Sequence, residues 1–471
     1  MGSPGLQKAR EKMLAAGVDE VAIETFAHYY RLLEHGETGM IPESTIEPVE
    51  MESLADVDLP AEVGAEALRT TAVIKLNGGL GTSMGMDRAK SLLCVRRGLS
   101  FLDIIARQVL HLRTVHGATL PLIFMNSFRT SGDTMAALAR YGDLPVEGLP
   151  LEFLQNKEPK LLVDDLTPAS WPRDPALEWC PPGHGDLYTA LRGTGLLDRL
   201  VEAGYERVFV SNSDNLGAVP DPTVAGWFAQ SGAPFAIEAV RRTASDRKGG
   251  HFARRRSDGR IVLRETAQTL EEDKAALADL ERHRFTSTNN LWFDLRAMKE
   301  ALDVREGILG LPMIRNVKNV DPGDKTSPEV VQIETAMGAA IEVFEGSTLI
   351  EVGRDRFVPV KTTNDLLVLR SDVYDIGQDF VLDQVSEGIP FVDLDPEHYK
   401  LVGEFDKRFP EGAPSMREAS SLRVNGDWTF LKGVQVVGDV ALDGGSNRRV
   451  DAGTVLGAEG AGTSGGAARH G

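Results

Sequence analysis

Cysteine is nearly absent from this chain: two residues, Cys94 and Cys180, in 471. Two isolated thiols build no disulfide framework and show no metal-ligand spacing, so a fold held by its hydrophobic core in a reducing compartment is expected. Positive charge is also in short supply. With 51 Lys+Arg against 70 Asp+Glu the net charge is -19, which repels polyanions over long range and excludes nucleic acid or an anionic membrane surface as partners. Any phosphate-bearing substrate must be drawn in by a local cluster. Long apolar runs are missing as well. Residues 1–50 carry charges throughout, with no stretch of signal or membrane-spanning length, and a cytoplasmic protein is expected.

What remains is the balance of a globular protein, with 42% hydrophobic and 26% charged residues. The length exceeds the ~250–300 residues at which single cores stop growing, which predicts a large central unit plus smaller ones. Residues 6–16 and 21–33 have helical amphipathic spacing and precede an acidic, proline-containing stretch, giving a helical lead-in over 1–70. From Thr71 short apolar runs at 72–76, 121–125, 207–211 and 234–240 alternate with helical patterns such as 101–114 and 134–140. That alternation predicts an α/β catalytic domain over 71–374, a mostly parallel mixed sheet of Rossmann-like type with helices on both faces. A basic, glycine-containing segment at 241–260, followed by alternating residues 260–265, predicts a hairpin excursion whose arginines are solvated. Residues 372–395 have acidic, loop-like spacing. In the last unit, 375–471, the glycine-punctuated strand pieces at 433–442 suggest a short β-solenoid ahead of a frayed glycine- and alanine-rich tail from Gly457.

The first apolar run feeds directly into Asn77-Gly78-Gly79-Leu80-Gly81-Thr82-Ser83-Met84-Gly85. Glycines at this density, at the carboxyl end of a strand, let backbone N–H groups approach a phosphate or a base without Cβ clashes, where an ordinary strand-to-helix turn would not need them. Spacing excludes two familiar loops. A P-loop needs glycine directly before its lysine, and here Ala89 precedes Lys90-Ser91; the dinucleotide fingerprint lacks its third glycine, because Thr82-Ser83-Met84 follows Gly79-Leu80-Gly81. Lys90, a short distance past the loop, could bring its ammonium to the cradled phosphates.

The loop with Lys90-Ser91 closely resembles that of the UTP–glucose-1-phosphate uridylyltransferase family, and five further blocks follow in the family's order. They are Met125-Asn126-Ser127-Phe128, Pro181-Pro182-Gly183-His184-Gly185-Asp186, Ser211-Asn212-Ser213-Asp214-Asn215-Leu216-Gly217, Thr288-Asn289-Asn290-Leu291-Trp292 and Phe357-Val358-Pro359-Val360-Lys361-Thr362-Thr363. Ordered agreement over the whole predicted catalytic domain is far more specific than any one block.

The resemblance implies a nucleotidyltransferase fold and a UTP site formed by Leu76, Asn77, Gly78, Gly79, Lys90, Met125, Gln155, Gly183, Asp214 and Lys361. Glutamine offers donor and acceptor together, which complements the uracil imide edge and suits Gln155 as the base contact. Asp214, just past a strand end, is a hard oxygen ligand for Mg²⁺, although an Asp there also caps turns. Lys90 and Lys361, far apart in sequence, are implied to flank the triphosphate as the catalytic charges. His184, Asn212, Gly250, Glu265, Asn289 and Asn290 are implied on the sugar-phosphate side. The chemistry implied is in-line attack by glucose 1-phosphate on the α-phosphorus of UTP, which needs no general base because the nucleophile is already an anion.

Two positions depart from the family pattern: Ala89 stands where proline precedes the loop lysine, and Ser287 where an asparagine precedes Thr288. The second leaves hexose preference more open than catalysis. A broad-range UDP-sugar or UDP-N-acetylhexosamine pyrophosphorylase is the close alternative, disfavoured by the glucose-type Gly183-His184-Gly185-Asp186. A non-catalytic sugar-nucleotide sensor would not need Lys90, Asp214 and Lys361 together, and a solenoid acyltransferase would need many more rungs. Assembly of copies through the C-terminal unit is a further expectation of the resemblance.

Overall fold

The computed structural model describes residues 3–247, 249–445 and 447–457. Its centre is an eight-stranded sheet in the spatial order Glu52–Ser53, Thr348–Glu351, Phe235–Arg241, Phe285–Asp294, Arg207–Asn212, Thr71–Asn77, Leu122–Asn126, Glu152–Leu154. Neighbours run parallel except at Phe285–Asp294, which is antiparallel to both of its partners. The four expected strands are therefore present within a residue or two, in a mixed and mostly parallel sheet.

These strands are apolar nearly throughout because both faces are covered. Val73 and Phe209 point into one core, with the helices Phe101–His116 and Pro222–Ser231. Their neighbours Ala72, Ile74, Val208 and Val210 point into the other, beneath Asp186–Gly193, Leu196–Glu202 and Leu295–Val304. Local signals set the helix ends: Ser100 and Asp103 form a reciprocal capping box at the start of Phe101–His116, and Gly117 ends it in the left-handed conformation. The expected helix at 134–140 begins earlier, as Ser131–Leu138.

The N-terminal helices Pro4–Ala15 and Glu20–Glu34 pack on a small antiparallel sheet of Leu161–Leu162, Glu329–Thr335 and Met313–Asn319. Residues within the expected lead-in also enter the sheets: Glu52–Ser53 extends the central one, and Ile46–Glu47 pairs with the excursion His251–Arg255/Ile261–Arg264, which is the expected hairpin. The segment read as loop at 372–395 instead contains a hairpin, Tyr374–Ile376 with Leu382–Gln384, and a strand, Phe391–Leu394, because Tyr374, Ile376 and Leu382 are drawn into the core. Beyond it lies a four-stranded parallel sheet, Phe391–Leu394, Ser415–Asn425, Gln435–Asp443 and Val455–Leu456. Its apolar face, with Met416, Leu422 and Val436, continues the core of the Phe101–His116 side. The tail from 458 onward lies outside the described residues. Among those described, no helix is long and apolar enough to cross a membrane.

Candidate functional site

Leu76 and Asn212 are register partners at the carboxyl ends of two parallel central strands, the edge at which open α/β sheets bind ligands. From Asn77 the chain turns through Gly81 (φ 66°) and Gly85 (φ 75°), and the Lys90 N–H returns to the Gly79 carbonyl at 3.1 Å. Gly78 faces Gln155 so closely that a Cβ there would stand 2.5 Å from Gln155 Oε1. Beside this contact lies a cavity of about 310 Å³, lined by Leu76, Gly78, Gly79, Met125 and Gln155, by Pro181, Gly183 and His184, and by Asn212, Asp214 and Lys90.

The Gly183–His184 turn is strapped to the segment 335–337. Gly183 has φ +78°, and a Cβ there would lie 2.5 Å from the Thr335 carbonyl oxygen, so conformation and close approach both require glycine. Thr335 N–H donates to the Pro182 carbonyl at 3.0 Å, Gly185 N–H to the Thr335 carbonyl at 2.8 Å, and Met337 N–H to His184 Nδ1 at 2.9 Å. Burial holds the His184 imidazole down at about 4. A neutral ring accepting at Nδ1 carries its proton on Nε2, so His184 is a hydrogen-bond donor near neutral pH.

At the junction Lys90 Nζ donates to Asp214 Oδ2 at 2.7 Å and to the Val360 carbonyl, while Val360 N–H donates to the Asp214 carbonyl at 3.2 Å. The residue before Lys361 therefore touches both Lys90 and Asp214, which is how the fold unites the two lysines. Asn215 reinforces this link: its Oδ1 accepts from Val358 N–H at 2.9 Å and its Nδ2 donates to the Arg356 carbonyl at 3.1 Å. Underneath, fully buried Glu238 takes both arms of Arg356 at 2.7 Å, together with Trp292 Nε1 and Asn290 Nδ2.

Asn212 and Asp214 also border a second cavity of about 370 Å³, lined further by Gly250, Glu265, Ser287, Asn289 and exposed Lys361. Burial raises the Glu265 carboxyl above the usual range, with Lys361 opposing the shift. Asn289 is held at φ 58°, its N–H bonded to Ser287 Oγ at 3.0 Å, so Ser287 supports the residue that its departure from the family pattern put in question.

Two of the expected side chains line neither cavity. Asn290 is fully buried and donates to Glu238 at 2.9 Å. Asn77 lines neither cavity, because its amide is spent on Asn126 and Thr134 at 2.8 and 2.9 Å and accepts from Ser213 Oγ at 3.0 Å. Among the arginines of the 241–260 stretch, Arg242 is buried against the Leu277 and His283 carbonyls and Arg255 pairs with buried Glu342, whereas Arg241, Arg247, Arg256 and Arg260 are exposed as expected. Lys248, within that stretch, lies outside the described residues. Glu238 was missed, although a lone carboxylate inside the apolar run 234–240 is a readable signal. Nothing in the sequence marks the contacts of Thr335 and Met337.

Asp214 has one oxygen on Lys90 and makes no hydrogen bond through the other among the described residues, so it can serve as a cation ligand. The one three-residue group of metal-ligating type among those residues, Glu43, His251 and His283, is already committed: Arg264, Arg282 and His283 occupy the Glu43 carboxylate.

A glycine-lined cavity at the carboxyl edge of an α/β sheet, joined through one carboxylate and two lysines to a polar second cavity, defines a nucleotidyltransferase that handles a sugar nucleotide. Residues 23–437 match the family model described as UTP–glucose-1-phosphate uridylyltransferase, and the chain belongs to that family. The Hordeum vulgare UTP–glucose-1-phosphate uridylyltransferase is 38% identical over 79% of this chain and 76% of its own length. The Schizosaccharomyces pombe protein, described as a probable member, is 35% identical over 90% and 84%. A variant of the Leishmania major UDP-glucose pyrophosphorylase solved in complex with UDP-glucose superposes with TM-score 0.90 and 41% identity, covering 97% of this chain and 98% of that one. The Trypanosoma brucei UDP-glucose phosphorylase gives 0.86 and 42%, covering 96% and 99%. The chain is thus a UTP:glucose-1-phosphate uridylyltransferase, which makes UDP-glucose from UTP and glucose 1-phosphate.

Proposed function

We propose that the two cavities divide the substrates: the uracil and ribose of UTP in the first, with Gln155 on the base edge, and glucose 1-phosphate in the second, between Gly250, Glu265, Asn289 and Lys361. The observation that carries this reading is that Asn212 and Asp214 line both, so the reacting phosphates meet at their junction. A phosphate oxygen of glucose 1-phosphate attacks the α-phosphorus of UTP, the new P–O bond forms as the α–β bridging bond breaks, and pyrophosphate leaves. Lys361 neutralises charge from the sugar-phosphate side and Lys90 from the loop side, while His184 Nε2–H donates to a substrate oxygen. Asp214 would hold Mg²⁺, whose charge, shared with phosphate oxygens, stabilises the transferring group. One free carboxylate oxygen beside a lysine fits an ion carried mainly by substrate phosphates.

The chain divides into an N-terminal helical unit (1–70), the catalytic unit (71–374) and a C-terminal unit (375–471). Within the last, the strands between 391 and 456 form a short parallel coil: Ser415 pairs with Gln435 and Gln435 with Val455, a step of 20 residues that supports a solenoid-like winding. It is the surface through which copies would assemble, in a cytoplasmic enzyme that needs neither nucleic acid nor membrane. Initial rates with glucose, galactose and N-acetylglucosamine 1-phosphates test the sugar assignment: a clear preference for glucose is expected, and equal rates would overturn it.

A further inference from the structure

Asp186 opens the helix Asp186–Gly193, two residues past His184. Its side chain reaches from that helix to the segment that follows Gln155, outside the lining of the base cavity. Buried, it accepts the Asn156 backbone N–H at 2.6 Å and Asn156 Nδ2 at 2.8 Å. Asn156 directly follows Gln155, whose own N–H is bonded to the Asn126 carbonyl at 2.8 Å. One carboxylate therefore ties the strand end that carries Gln155 to the turn that carries Gly183 and His184.

Such an arrangement is costly, because burial alone pushes the Asp186 carboxyl up to about 6 against the pull of its two Asn156 bonds. A buried carboxylate that spends both oxygens on one neighbour fixes that neighbour's position more tightly than packing would. Position matters here for a chemical reason. A glutamine amide complements the uracil imide edge in one orientation and, turned over, offers the reverse donor–acceptor pattern, which suits cytosine. Discrimination between the two bases therefore depends on how firmly Gln155 is held against Gly78.

We propose that Asp186, acting through Asn156, is a positioning residue that sets the selectivity of this enzyme for a uracil over a cytosine nucleotide. The proposal rests on the assignment of Gln155 to the base. The test is the ratio of kcat/KM for UTP to that for CTP in the full-length enzyme. Gln155→Ala should collapse the ratio; if it does not, the base assignment itself fails and the proposal with it. Given that collapse, Asp186→Asn should lower the ratio about tenfold while kcat at saturating UTP changes by no more than about threefold. The exchanged pair Asn156→Asp with Asp186→Asn, which restores a carboxylate–amide contact, should recover part of it. An Asp186→Asn enzyme that loses activity equally on both nucleotides, with an unchanged ratio, would show a purely structural role and overturn the proposal. Should that variant fail to fold, Asn156→Ala removes the side-chain bond alone; a reduced ratio is then expected, and an unchanged one is equally fatal.

Discussion

Gly78→Ala isolates the contact on which base recognition depends. The added Cβ would stand 2.5 Å from Gln155 Oε1 and 3.0 Å from its Cδ and Nε2, so the amide must retreat by about 1 Å to reach ordinary van der Waals distance. Gly78 is not in the left-handed region, and no backbone strain is added. The effect should therefore fall on Gln155 and not on folding. Two neutral hydrogen bonds to the uracil edge, at ~0.5–1.5 kcal/mol each, put roughly 1–3 kcal/mol at risk, a fall of about 5- to 150-fold in kcat/KM for UTP. The assay is initial-rate UDP-glucose formation alongside a urea titration, whose midpoint should stay within about 0.5 kcal/mol of the parent. Unchanged kinetics with UTP would refute the placement of the base at Gln155, as would a loss that merely tracks lost stability.

Lys361→Ala should retain UTP binding by calorimetry but lose at least ~100-fold in kcat, since Lys361 faces the second cavity; unchanged turnover would remove it from the mechanism. Glu238→Gln breaks a fully buried pair with Arg356 beneath the Asp214 loop and should cost about 3–5 kcal/mol in urea unfolding. Ala89 sits at φ -54°, within proline's range, and its N–H makes no hydrogen bond among the described residues. Ala89→Pro should accordingly stabilise by ~0.4–1 kcal/mol without changing kcat. His184, depressed to about 4, refuses a proton that the unfolded chain takes up below pH 6.5, so it makes stability fall as pH drops from about 6.5 towards 4. Asp186, raised to about 6, works in the opposite sense between about 6 and 3.8. Comparing urea midpoints of parent and His184→Gln at pH 7 and pH 5 separates them: the parent should lose more on acidification than the variant does.

Strand runs buried on both faces are readable because burial demands near-continuous apolar residues, which is why 72–76 and 207–211 were placed closely. Strand direction carries no such signature, and the antiparallel Phe285–Asp294 is fixed by its long-range neighbours alone. The ordered blocks carry Gly78, Gly183, Asp214 and Lys361, and the resemblance adds Gln155, all of which line the two adjoining cavities, yet a motif does not say which way each side chain points. Asn289 and Asn290 look equivalent in the sequence and are separated by side-chain direction, one to a cavity and one to Glu238. The Glu238–Arg356 pair and the 335–337 strap are tertiary contacts between distant segments, which local patterns do not encode. In the C-terminal unit, short strands with weak alternation hid the pairing at 374–384.

The most direct test is a crystal structure of this enzyme with UDP-glucose bound. The account predicts the uracil edge on Gln155 beside Gly78, the diphosphate at Asn212 and Asp214, and the glucose against Glu265 and Asn289. A hexose outside the Gly250–Glu265 cavity, or a base that leaves Gln155 without contact, would contradict it.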